Sequence, residues 1–212
     1  MQKKTLINYW NNFYKEKKKF KESSFARFVI KKIRAKKQKD RLIDIGCGNG
    51  RDSIFFNKKR FKVTAIDISK KAIKKNSLYE NEDLNFINFD IEKNTMDKKF
   101  DFIYCRFFLH TINNYGENKL LNLIKKIKKK QTLIFFEFRN IKDEIFKKKK
   151  KLKHNEIVEF EKGHYRRIID PKIFIKKFER TIGCKYIYLK SSKNLSIYKK
   201  DNPNLSRIIF KV

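Results

Sequence analysis

The sequence predicts an α/β fold with a mostly parallel sheet, and three observations carry that expectation. Apolar runs of strand length alternate with stretches whose apolar residues recur at helical spacing. A glycine turn, Gly46-Cys47-Gly48-Asn49-Gly50, directly follows the first such run and opens a helix. Charged and histidine residues fall at or just after the ends of the later runs, at Asp67, Asp90, Arg106, His110, Glu137 and Arg139. Strand and helix in alternation imply right-handed crossovers, and ligands then gather at the carboxyl ends of the strands.

Taken in order, Tyr9, Trp10, Phe13 and Tyr14 recur at helical spacing ahead of a charge run at 15–19, so residues 1–39 are expected to form a helical lid or cover. Ser23 or Ser24 caps a second helix with Phe25, Phe28, Val29 and Ile33 on one face and Lys31, Lys32, Arg34 and Lys36 mostly on the other. After a strand over 42–45 and the glycine turn, Asp52 and Ser53 are expected to cap the next helix. Strands follow over 61–67, 84–90, 100–108 and 131–138, with Ser69 capping a helix after the first of these. Leu120, Leu121, Leu123, Ile124 and Ile127 form another helix face. Asp170-Pro171 starts a last helix with Phe174 and Phe178 inward. Strands over 185–189 and 205–212, with no crossover helix between them, are expected to pair antiparallel.

The 212 residues suit a single domain, 1–212, with one core. Lys and Arg outnumber Asp and Glu by 56 to 23, and a net charge of +33 would draw the chain to nucleic acid or an anionic membrane. The lysines are spread along nearly the whole chain, however, and Ile, Asn, Phe and Tyr, which share A/T-rich codons, are also abundant, so genome composition supplies much of that charge. Any nucleic-acid binding is accordingly expected to be non-specific. Cys47, Cys105 and Cys184 have neither disulfide nor zinc-site spacing. No run is long enough to span a membrane, and a soluble, cytoplasmic protein is expected.

The chemistry begins at the glycines. Only six occur in the chain, and three stand at alternate positions in Asp44-x-Gly46-x-Gly48-x-Gly50. A dinucleotide fingerprint would need its third glycine where Arg51 stands, so NAD is not expected. Asp67 ends a strand about 20 residues beyond the glycines, where α/β nucleotide folds place a carboxylate on ribose hydroxyls. Ile68 would then offer an apolar face to adenine.

The glycine pattern, with Asp67 and Asp90 at later strand ends, resembles the class I S-adenosylmethionine-dependent methyltransferases. The resemblance implies a Rossmann-like, seven-stranded, mostly parallel sheet whose last strand is antiparallel, with helices on both faces and S-adenosylmethionine as cofactor. It places Asp44, Gly46, Cys47, Gly48, Asn49 and Gly50 by the methionine part, Asp67 and Ile68 by ribose and adenine, and Asp90 at the adenine amino group. Ile91 and Cys105 complete the implied cofactor site.

For the methyl acceptor, Arg106, Arg139, Arg166 and Arg167 stand out in a chain whose cations are mainly lysine, and arginine forks hold carboxylate or phosphate. They are expected to clamp an anionic small molecule, a phosphorylated or nucleotide-linked sugar or a carboxylate metabolite. Arg106 and His110 would act at the reaction, with His110 as general base, and Tyr14, Glu137 and Tyr165 would complete the acceptor site. The place of an Asp/Asn-Pro-Pro-Tyr/Phe motif is taken by Cys105-Arg106-Phe107-Phe108, and no cysteine has the proline neighbour of a cytosine-carbon enzyme, which weakens the nucleic-acid reading. Within the resembled family the chain looks like small-molecule enzymes of the tellurite-resistance or surface-polysaccharide type. An RNA methyltransferase and a non-catalytic cofactor-binding partner subunit remain the alternatives.

Overall fold

The computed structural model describes residues 3–14, 21–33, 40–146, 151–161, 164–198 and 201–212. The charge run expected at 15–19, and Arg34 and Lys36, lie outside them. Five strands run parallel: β1 (Arg41–Ile45), β2 (Lys62–Asp67), β3 (Leu84–Asn88), β4 (Phe100–Arg106) and β5 (Lys128–Arg139). A hairpin of β6 (Ile157–Glu161) and β7 (His164–Arg167) stands apart from the main sheet. The chain then returns through β8 (Lys185–Ser192) and β9 (Leu205–Lys211), and the seven-stranded order is β3-β2-β1-β4-β5-β9-β8 with β9 antiparallel to both neighbours. The expected fold class is therefore the observed one. Both faces of a parallel sheet are covered, which is why β1, beyond its exposed first residue Arg41, is an apolar run interrupted only by Asp44.

Six helices supply the cover: α1 (Lys3–Phe13), α2 (Ser24–Lys32), α3 (Arg51–Lys58), α4 (Lys70–Asn76), α5 (Asn114–Ile127) and α6 (Pro171–Ile182). On one face Phe25, Val29 and Phe56 of α2 and α3 pack on Leu42, Val63 and Phe102. On the other, Leu120 and Ile124 of α5 and Phe174 and Phe178 of α6 pack on Ile43, Ile103 and Phe136. Each such fully buried side chain contributes about 1.5–3 kcal/mol. None of the helices among the described residues is long and apolar enough to cross a membrane.

Caps fall where expected at three helices: Ser23 Oγ accepts from the amide of Ala26 at 3.0 Å, Ser69 Oγ from that of Ala72 at 3.2 Å, and Asp170 Oδ1 from that of Lys172 at 2.8 Å. At α3 the expectation fails. Gly50 opens that helix with no side-chain cap, and Asp52 instead accepts from Ser23 N, Ser23 Oγ and Tyr104 Oη, each at 2.7 Å. Ser53 Oγ donates to Asp44 at 2.6 Å. Both side chains face the interior, where buried hydroxyls and amides need partners, whereas the amides of the first turn lie along the helix axis.

Two strands end sooner than expected. β3 stops at Asn88, and β4 stops at Arg106 because Phe107 takes a left-handed φ of 54°, which ends the extended run.

Candidate active site

The glycine turn is fixed by its neighbours in space. Gly46 N and Cys47 N both donate to Ile66 O, at 2.9 and 3.0 Å, which carries the chain off β1 against the end of β2. Gly48 N donates to Asp67 Oδ2 at 2.9 Å, and Gly48 O accepts from Asn76 Nδ2 at 2.8 Å. Asp67 Oδ1 accepts from Ser69 N at 2.8 Å. With the Ile68 amide as a further backbone donor, three of the roughly four acceptor sites of this carboxylate are taken, and the remainder can receive a hydroxyl donor. Burial pushes the Asp67 carboxyl up, opposed by those backbone hydrogen bonds.

A cavity of about 720 Å³ of empty space, mouth included, opens beside this turn at the carboxyl ends of the strands. Of the expected cofactor residues, Gly46, Asp67, Ile68, Asp90 and Ile91 line it. Cys47, Gly48, Asn49 and Gly50 complete the turn behind Gly46. Asp44 is turned away to Ser53, and burial pushes its carboxyl up to about 8. Cys105 is not at the cavity: it is buried in the apolar core on the α5 side of the sheet, packed among aliphatic residues such as Ile43 and Ile103.

α1 closes the cavity from above with Leu6 and Trp10, together with Tyr14 just beyond its end. Asn11 Oδ1 accepts from Ser69 Oγ at 2.9 Å and from Lys71 N at 3.3 Å, and Lys75 Nζ donates to Tyr14 O at 2.7 Å. Tyr9 stacks on His164 with ring centroids 4.2 Å apart. Tyr14 reaches into the glycine turn so closely that a Cβ on Gly48 would lie 2.3 Å from its Oη. Burial, then Asp67 and Cys47, push the Tyr14 phenol up, so it stays neutral and can donate.

The four arginines do not assemble into the expected clamp. Arg106 Nε donates to Glu137 Oε1 at 2.9 Å, and Arg207 Nε takes the other oxygen at 2.7 Å, so Glu137 is a buried counterion between two strands and not an acceptor group. Arg139 lies between Asp143, at 3.1 Å, and Asp201. Arg167 is fully buried, 2.6 Å from Glu117, and also donates to the carbonyls of Ile112 and Leu109. The physical reason is common to all three: a buried guanidinium needs a carboxylate nearby, and the fold provides one internally. Arg166 stands apart from these, with Nη1 3.4 Å from Tyr165 O.

His110 is also displaced from its expected role. It is 1% exposed and lies outside the cavity lining. Its Nδ1 accepts from the amide of Arg139 at 3.3 Å, and burial, then Arg166 and Arg139, hold its pKa well below the usual range. A neutral ring whose Nδ1 accepts carries its proton on Nε2, so this imidazole is arranged as a donor. Tyr165, also expected in the acceptor site, is buried near Glu92 and Arg167 and does not line the cavity.

Residues 16–181 match a family described as a methyltransferase domain. The chain belongs to that methyltransferase family. Ubiquinone biosynthesis O-methyltransferases of Rickettsia bellii (strain OSU 85-389) and Rickettsia akari (strain Hartford) are 33% identical over 92 residues and 31% over 108, covering 42% and 48% of this chain. The chain matches 38% and 43% of those proteins, about two-fifths of their length. Among solved structures, the glycopeptide N-methyltransferase MtfA matches with a TM-score of 0.68 at 13% identity, over 90% of this chain and 96% of its own. An S-adenosylmethionine-dependent methyltransferase from Methanosarcina mazei matches with a TM-score of 0.64 at 18% identity, over 86% and 96%. These likenesses establish the class I methyltransferase fold.

The methyltransferase's cavity suits a nucleoside joined to an amino acid. Asp67 and Asp90 are the polar ends of an otherwise apolar wall of Ile66, Ile68, Phe89 and Ile91, and the turn at Gly46 brings bare backbone to its edge. Glu92, Phe107, Thr111 and Ile112 line it too and were not expected from the sequence. The signal for Glu92 was present, two residues beyond a strand-end acid, but nothing local separates it from a solvated loop carboxylate.

Proposed function

We propose that this methyltransferase uses S-adenosylmethionine to methylate an oxygen of a small, largely apolar acceptor. The observation that carries the acceptor reading is the cavity lining, which among the described residues holds three carboxylates, Asp67, Asp90 and Glu92, and no lysine or arginine. A phosphate or carboxylate acceptor would meet like charge there, whereas a sulfonium is a cation and is favoured by it. Leu6, Trp10, Phe107, Phe108 and Ile112 supply apolar and aromatic contact. The Rickettsia relatives, named as O-methyltransferases, support oxygen over nitrogen.

When bound, S-adenosylmethionine supplies a methyl group already activated for displacement. Asp67 would hold the ribose hydroxyls, Asp90 the adenine edge, and the backbone of the glycine turn the methionine end. α1 acts as the cover that excludes water. Glu92, the third carboxylate of the lining, would take the proton of the acceptor hydroxyl.

Calorimetry is expected to give a micromolar Kd for S-adenosylmethionine, about −8 kcal/mol, and no binding of NAD. With labelled donor, a neutral phenol or catechol should accept methyl and a sugar phosphate should not. Glu92→Gln should lower kcat about 10²-fold or more at unchanged cofactor affinity. Transfer to the sugar phosphate in preference to the neutral phenol would overturn the acceptor reading.

A further inference from the structure

The strand ends opposite the cavity carry a line of cations. Across the sheet, β2 begins at Lys62, β1 at Arg41, β4 is entered through Lys98 and Lys99, β5 begins Lys128-Lys129-Lys130, β9 ends at Lys211 and β8 begins at Lys185. The register sets Arg41 beside Lys62, Phe100 beside Lys128, and Lys185 beside Lys211. Six adjacent strands at about 4.8 Å spacing make this row roughly 25 Å long. Lys176 and Arg180 of α6 extend it, joining Lys185 and Lys211 around a shallow cleft whose carboxylate side chain, Glu179, accepts from the amide of Tyr186 at 2.9 Å.

Such a row works against the fold, because like charges side by side on neighbouring strands repel. Partial burial, then Arg41 and Lys62, pull the Lys98 ammonium below its usual pKa. Nearby acids relieve part of it: Lys62 lies 3.3 Å from Asp83 and Lys129 2.6 Å from Asp101. Among the described residues Lys130, Lys185 and Lys211 pair with no carboxylate, and all three are exposed. Helix dipoles do not account for these, since they stand on strands. Genome composition explains how many lysines the chain has, but not why the six adjacent strands β2, β1, β4, β5, β9 and β8 each have a lysine or arginine at the same end.

We propose that this edge docks the phosphate backbone of a nucleic acid, leaving the cavity at the far end of the strands open. A membrane fits less well, because seating in a lipid surface needs apolar side chains to insert beside the charge. Phe61, Phe100 and Ile127, which lie along the row, are all buried, and the exposed Tyr186 and Ile187 stand only at its β8 end. The proposal is independent of the acceptor reading, since nucleic acid held here is not presented to the cavity.

The test uses the full chain and a fluorescently labelled oligouridylate, with anisotropy read across a salt series. Lys130→Gln/Lys185→Gln/Lys211→Gln should weaken binding about tenfold or more and lower the slope of log K against log salt by about 2, as expected for three lost single-strand phosphate contacts. An equal charge change on α4, Lys70→Gln/Lys71→Gln/Lys74→Gln, should leave affinity within about twofold and the slope near that of the parent protein. Saturating oligouridylate should not change cofactor affinity by calorimetry, and the same measurement shows that the triple variant is folded. Equal weakening by both variants, unchanged binding in the first, or displacement of cofactor by the oligonucleotide would each overturn the proposal. So would sedimentation with phosphatidylglycerol vesicles in the absence of oligouridylate binding.

Discussion

Gly48 is held from three sides at once: its amide is on Asp67, its carbonyl is on Asn76, and the Tyr14 hydroxyl fills the space where a Cβ would project. Its φ is +53°, and a side chain there costs about 1–2 kcal/mol before any clash. Gly48→Ala is expected to push Tyr14 out and weaken cofactor binding in a protein that still melts cooperatively, with calorimetry and a thermal scan separating the two effects. Asp44 gives a pH signature. Its native carboxyl, pushed up to about 8 by burial, keeps a proton that the unfolded chain releases in the ordinary carboxylate range. Stability therefore falls as pH rises between those limits, and Asp44→Asn should flatten that slope in urea titrations. His164 has the opposite sign: burial, then Arg166, lower its pKa to about 3, so stability is lost as pH drops from the ordinary imidazole range toward that value. The placement of Asp67 and the glycine turn beside the cavity was legible in the sequence because it is set by backbone conformation and by position at a strand end. The arginines were not. Arg106, Arg139 and Arg167 each meet a carboxylate brought by another part of the fold, Glu137, Asp201 and Glu117, and local sequence does not encode that meeting.

At the scale of elements, the strands of the main sheet and the helices against it follow from apolar period and caps, and Ser23, Ser69 and Asp170 mark three helix starts correctly. The β6–β7 hairpin escaped because its residues alternate weakly and it pairs only with itself. α1 was visible as an aromatic stripe, but its seat was not, because its partners Ser69, Lys75 and His164 come from separate stretches of chain. That seat rests on few contacts. Asn11→Ala removes the acceptor for two hydrogen bonds, about 0.5–1.5 kcal/mol each, while touching none of the core. Cofactor release in stopped-flow is accordingly expected to speed up several-fold with little change in melting temperature. An unchanged release rate would mean that α1 does not close the cavity.

The molecule as a whole carries a net charge of +33 and holds together against its own repulsion. Its interior answers with buried ion pairs that cross element boundaries: Glu137 between Arg106 and Arg207, and Glu117 between Arg167 and Lys177. Salt screens the dispersed surface repulsion far more than it screens these pairs. The melting temperature is therefore expected to rise with sodium chloride between low and physiological ionic strength, whereas a protein held mainly by exposed salt bridges would show a fall. The seating of α1 also has a consequence in time. The helix that roofs the cavity leaves the ribosome before any strand of the sheet, yet it docks on Ser69 and on His164, and His164 is made only after the first five strands. Until His164 is made the cavity therefore has no completed roof, and α1 gains its full seat only after those five strands.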